Sequence, residues 1–202
     1  MAAEVPDGSA GANAGGANAR AGEVRVAFDE AALARWMAAH VDGFAGPLEV
    51  AQFNGGQSNP TYRLTTPGAR YVLRRKPPGP LLKGAHDVLR EARVLTALGP
   101  TPVPVPPVLG VCEDDGVIGS AFYVMAMVDG RIFWDARFPE VPQAERAAYY
   151  DAMNATIAAL HAVDPAAVGL GDFGRPGNFF ERQIGRWTKQ YLEDELAGRN
   201  AD

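Results

Sequence analysis

The chain has 202 residues, with 19 Lys and Arg against 24 Asp and Glu, one Cys and a net charge of -5. Its length allows one ordinary domain or two small ones, and a hydrophobic content of 47% is enough for a sizeable core. The acidic balance argues against nucleic acid or an anionic membrane as partner, the lone Cys112 excludes an internal disulfide and fits a cytoplasmic protein, and no apolar run reaches the 18 or so residues of a membrane span.

Residues 1–22 are mostly Ala, Gly and Asn and hold no aromatic. Such a segment buries too little to offset its ordering entropy, so a disordered tail is expected. It lacks the basic start and apolar stretch of a signal peptide. Asp29 is a good N-cap for a helix carrying Leu33, Trp36, Met37 and His40, with Phe28 and Leu33 placed as a hydrophobic staple. Leu48 to Phe53 reads as a strand, followed by the turn-rich loop Asn54-Gly55-Gly56-Gln57-Ser58-Asn59-Pro60. Thr61 to Thr65 returns, Pro67-Gly68 turns, and Tyr71 to Lys76 makes a third strand, stopped by Pro77 and Pro78. A helix from about His86 to Leu98 is closed by Gly99-Pro100, and Pro102, Pro104, Pro106 and Pro107 force an extended connector. Val108 to Cys112 and Ala121 to Val128 are two more strands around the acidic turn Glu113 to Gly116. Pro142 to His161 and Glu181 to Leu192 are helical, with apolar stripes through Tyr149, Met153, Ile157 and Leu160, and through Ile184, Trp187 and Tyr191. The order is helix, five strands with one helix inserted after the third, then helices: an antiparallel α+β lobe followed by an α lobe.

Four features carry chemistry. The Gly55-Gly56 loop lets backbone N–H groups approach phosphates, and Ser58 and Asn59 add donors. It matches neither GxxxxGK[ST] nor GxGxxG, and a plain hairpin turn is the competing reading. In the third strand, alternation puts Val72, Arg74 and Lys76 on one face, and these cations either hold an anion or blunt an edge strand. Glu91 falls within the apolar arc of Val88, Ala92, Leu95 and Leu98, where a carboxylate needs a cation; Arg74 and Lys76 both qualify. Otherwise Glu91 is a half-exposed helix residue. The last strand, Phe122 to Val128, is apolar on both faces and joins the two lobes, so it reads as a core strand or as one wall of a cleft for a flat heterocycle. A glycine hairpin, a strand cation, a helix carboxylate and a linker strand follow one another as in the upper half of a protein-kinase-like ATP site.

The stretches FNGGQSNPTYRL, YVLRRKPPG, REARVL and PVPPVLGVCEDDGVIGSAFYVMAMVDGRIF resemble the aminoglycoside phosphotransferase-like family. LHAVDPAAVGL and GDFGRPGNFFERQIGRWTKQY resemble the branch of kinase-like domains attached to acyl-CoA dehydrogenases. The resemblance covers about residues 25 to 195. It implies a protein-kinase-like α+β fold, with residues 23–127 as a nucleotide-binding N-lobe and 128–202 as hinge and incomplete helical C-lobe. It implies ATP with Mg²⁺ as cofactors, and phosphoryl transfer to a small-molecule hydroxyl. Gly55, Gly56, Gln57, Ser58 and Asn59 would cover the phosphates. Arg74 stands where the family often has Lys, and Glu91 where the family pairs a Glu with it. The Ala126 C=O and Val128 N–H would meet the adenine edge.

The family's catalytic HGD-type loop and its metal-binding Asp have no counterpart before Asp202. Asp172-Phe173-Gly174 spells DFG but has no catalytic loop upstream, so it reads as a turn before the last helix. No catalytic or metal residue is therefore assigned. The expectation is an N-terminal portion of a two-lobe fold, and a non-catalytic nucleotide-binding or interaction module is the alternative. Uncovered apolar C-lobe faces would then favour self-association.

Overall fold

In a computed structural model the described residues are 21–53, 59–77, 86–174 and 177–196. Ten elements follow one another: β1 (Ala21–Gly22), α1 (Glu30–His40), β2 (Glu49–Phe53), β3 (Thr61–Thr65), β4 (Arg70–Arg75), α2 (Val88–Leu98), β5 (Val108–Cys112), β6 (Phe122–Ala126), α3 (Gln143–His161) and α4 (Phe179–Leu196). The strands form one antiparallel sheet in the order β1-β2-β3-β4-β6-β5. The five expected strands are all present, within two residues at each end. The sixth is a correction at the N-terminus: Ala21 and Gly22, placed in the tail on composition, pair with Phe53 and Gln52. Small residues bury little, but an open sheet edge offers them backbone partners.

Helices α1 and α2 start where a side chain meets a free N–H group of the first turn. The Asp29 carboxylate accepts from Ala32 N at 2.8 Å, and Asp87 does the same for Arg90 N at 3.0 Å. Val41 caps α1, and Gly43 follows with a φ of 72° that favours glycine. The chain between β4 and β5 carries α2 and the proline connector to the far edge of the sheet, so that β6 returns between β4 and β5.

The core lies on both faces of the sheet. On one face α1 and its cap residue insert Leu33, Met37 and Val41 among Tyr62, Leu64, Tyr71, Leu73, Phe122 and Val124. Phe28 packs against the same cluster, edge-on to the Tyr62 ring. On the other face α2 places Val88 and Ala92 against Ala121 and Tyr123, with Leu95, Val108 and Met125 partly buried beside them. Burying each large apolar side chain contributes roughly 1.5–3 kcal/mol. Strand β4 has a neighbour on each side, which removes the edge-strand reading of its cations. Arg75 points into the α1 face and is 2% exposed. Its Nε donates to Ser120 Oγ at 3.0 Å, and its guanidinium lies 5.4 Å from the Phe28 ring centre.

The chain divides into two units, one ending at Ala162 and one starting at Val163. In the first, α3 packs Tyr149 and Tyr150 against Phe133 and Phe138 of the segment before it. Met153, Ile157 and Leu160 of α3 are exposed. In the second, Asp172-Phe173-Gly174 lies in turns before α4, and Ile184, Trp187 and Tyr191 are exposed on that helix. No helix among the described residues is long and apolar enough to cross a membrane.

Gly110 offers a direct test of this packing. A Cβ there would sit 2.8 Å from the Trp36 ring, which is itself wedged between His40 and Phe122. Gly110→Ala is expected to destabilise the first unit by about 1–3 kcal/mol in thermal or urea denaturation. Gly68→Ala, with open space around it, is expected to be neutral or slightly stabilising. Equal effects of the two substitutions would show that β5 and α1 do not meet as described.

Candidate functional site

The site is built on one row of the sheet. Arg74 of β4 has Thr61 of β3 as its register partner on one side and Tyr123 of β6 on the other. All three side chains meet at the edge of α2, where Glu91 faces the sheet. Arg74 Nε donates to Glu91 Oε2 at 2.8 Å, and Nη2 donates to Oε1 at 3.2 Å. This two-point pairing of a planar cation with a carboxylate fixes orientation as well as distance. The side chains remain 30% and 35% exposed, so a ligand can still reach the pair.

Glu91 is met by four donors, two on each oxygen. Asn59 Nδ2 donates to Oε1 at 2.8 Å, and the Tyr123 hydroxyl donates to Oε2 at 3.2 Å. Thr61 Oγ1 accepts from Arg74 Nη1 at 3.2 Å and donates to the Asn59 carbonyl at 3.1 Å. Burial works to lower the Arg74 pKa, but the Glu91 hydrogen bonds and charge outweigh it and hold it above the usual value. Burial pushes the Tyr123 phenol up to about 12, against the pull of Arg74 and with a push from Glu91. Arg74 therefore stays a cation and Tyr123 a neutral donor throughout the physiological range. Of the five guanidinium N–H donors, three are committed to Glu91 and Thr61. Among the described residues the other two, one on each terminal nitrogen, have no acceptor beyond the nearby Tyr123 hydroxyl.

Beside this pair lies a cavity of about 380 Å³, lined by Val72, Met125, Ala126 and Val128 and walled by Pro104, Val105 and Pro106. Val72 and Met125 are register partners, one step along from the Arg74–Tyr123 row. A two-residue step on one face of a strand is roughly 7 Å. An apolar slot and a cation with spare donors thus sit next to each other on the same face of the sheet.

Of the expected site residues, the structure brings together Asn59, Arg74 and Glu91 at the ion pair. Ala126 and Val128 lie at the cavity. Gly55, Gly56, Gln57 and Ser58 lie outside the described residues. Between the two cations open to Glu91, Arg74 is the partner, and Lys76 is exposed beyond the strand end. Asn59, expected at the phosphates, donates from its amide to Glu91. Sequence reasoning missed Thr61, Tyr123, Val72 and the proline wall. Alternation in β4 was the available signal for Val72, which shares a face with Arg74. Tyr123 and Thr61 needed the strand register, which no local pattern carries.

The family model for the phosphotransferase enzyme family matches residues 49–201. The chain is 48% identical over 180 residues to the Arabidopsis thaliana protein named probable acyl-CoA dehydrogenase IBR3, covering 85% of this chain and 22% of that protein. It is 48% identical over 168 residues to acyl-CoA dehydrogenase family member 11 of Gallus gallus, covering 81% of this chain and 22% of that protein. The chain thus spans about a fifth of the length of these curated relatives. A solved structure from Ralstonia eutropha, named provisionally as an aminoglycoside phosphotransferase, superposes with a TM-score of 0.72 at 53% identity. It covers 86% of this chain and 49% of that one. The sheet with its inserted helix is therefore the aminoglycoside phosphotransferase-like, protein-kinase-like fold, and with a family match over well more than half of its length, the chain belongs to the phosphotransferase enzyme family.

Proposed function

We propose that this chain carries the nucleotide-binding half of an ATP-dependent phosphotransferase that acts on a small-molecule hydroxyl. The observation that carries the reading is the pairing of Arg74 with Glu91 two residues along the same strand face from an apolar cavity. In this reading the adenine lies in the cavity against Val72 and Met125, with its edge toward the Ala126 carbonyl and Val128 N–H. The phosphates lie at Arg74, whose two spare donors match the oxygens of a phosphate. The glycine loop, with Gly55, Gly56, Gln57 and Ser58, covers them. Positioning and charge neutralisation are the main means by which such sites act on a phosphoryl group.

The nucleotide fits the residues present: a slot for a heterocycle, then a cation. Mg²⁺ would come bound to the phosphates and neutralise their charge. Among the described residues no group of three or more His, Cys, Asp or Glu could hold it, so no ligand is assigned to it.

Calorimetry of Mg·ATP and of adenosine with the purified chain tests the reading. Wild type is expected to bind ATP more tightly than adenosine. Arg74→Ala is expected to weaken ATP by about thirtyfold or more and to bring it to the level of adenosine. Equal binding of ATP by wild type and Arg74→Ala would remove the phosphate assignment. A second substitution addresses the slot. Val105→Trp fills the cavity from the connector and is expected to weaken both ligands by about tenfold or more, with the thermal midpoint nearly unchanged. Undiminished adenosine binding in that variant would place the base elsewhere.

A further inference from the structure

We propose that Asn59 and Tyr123 are positioning residues, which hold Glu91, and through it Arg74, in a phosphate-ready orientation before any nucleotide arrives. The proposal rests on the reading that phosphates lie at Arg74, and it gives those two residues a task separate from contact with the ligand.

The geometry carries it. Each Glu91 oxygen takes one hydrogen bond from Arg74 and one from a second residue, Asn59 on Oε1 and Tyr123 on Oε2. The carboxylate can rotate neither way without losing a donor. Arg74 is constrained from a third side by Thr61, whose hydroxyl also bonds the Asn59 carbonyl. Asn59 is therefore tied to Arg74 by two routes, one through Glu91 and one through Thr61. Only these constraints distinguish the pair from an ordinary strand-to-helix ion pair, in which a long guanidinium stem samples several rotamers.

Asn59 also bears a cost that points the same way. It is 7% exposed, and its Oδ1 has no donor among the described residues. A carboxylate accepts and does not donate, so the amide must turn its nitrogen, and not its oxygen, to Glu91. Tyr123 is 2% exposed, and its hydroxyl is directed to Glu91 from within the α2 face of the core. Asn59 is the first described residue after the glycine loop and lies just before β3. Its bond to Glu91 thus ties the chain just before β3 to α2. A site held in its binding geometry binds more tightly because less freedom is lost when the ligand arrives.

Comparison of Mg·ATP with adenosine separates positioning from simple structural damage, because adenosine has no phosphate for Arg74 to hold. Tyr123→Phe and Asn59→Ala are each expected to weaken ATP by about three- to tenfold while adenosine affinity stays unchanged. In a Glu91→Ala background, Tyr123→Phe is expected to add nothing further, because both act through the same carboxylate. A parallel loss of ATP and adenosine affinity would make the two residues structural only and overturn the proposal. An unchanged ratio in both variants, with Arg74→Ala still lowering it, would overturn the proposal and leave the phosphate site standing. A wild type that binds ATP no better than adenosine would remove both.

Discussion

The carboxylate of Glu91 sits on the inner side of α2, on the arc that otherwise buries Val88 and Ala92. A half-buried charge in that position without partners would work against the docking of α2 on the sheet. The sheet meets it with Arg74, Tyr123 and Asn59, drawn from two strands and the loop end before a third. The register of β3, β4 and β6 is thereby linked to the placement of α2. A slip of one residue in any of these strands would turn its donor to the other face and leave the carboxylate unmet.

The same constraint explains the division of labour along β4. Tyr71 and Leu73 enter the core under α1, whereas Val72 and Arg74 face α2 and the cavity. The strand is apolar on both faces except where a cation is needed. On the α1 side Arg75 is buried against Phe28 and Ser120, which gives that cation a packing role. Adjacent arginines on one strand thus serve opposite faces. Alternation, and not the basic cluster as a whole, decides which of them a ligand could meet.

Much of this architecture was legible in the residues. The strands announced themselves through short β-rich runs bounded by Gly, Pro and Asn. Asp29 marked the start of α1, and the helical arc of α2 singled out Glu91 as a carboxylate in need of a cation. The choice of Arg74 over Lys76 was not legible, since both lie on one face and only the end of β4 at Arg75 separates them. Nor was the role of Tyr123, because a core tyrosine and a donor to Glu91 look alike until β6 is placed beside β4. The strand at Ala21–Gly22 escaped notice because backbone pairing at a sheet edge needs no side-chain pattern. The cavity wall at Pro104 to Pro106 was read as a connector, and its shape depends on where the chain crosses to the far edge.

The central claim is that the Val72–Met125 cavity and the Arg74–Glu91 pair together hold one nucleotide. Photolabelling of the chain with an azido-adenine analogue of ATP, followed by peptide mapping, tests it most directly. The account predicts label on the peptides that line the cavity, around Val105 or Met125, suppressed by excess ATP and lost in Val105→Trp. Label confined to other peptides, or label that excess ATP does not suppress, would contradict it.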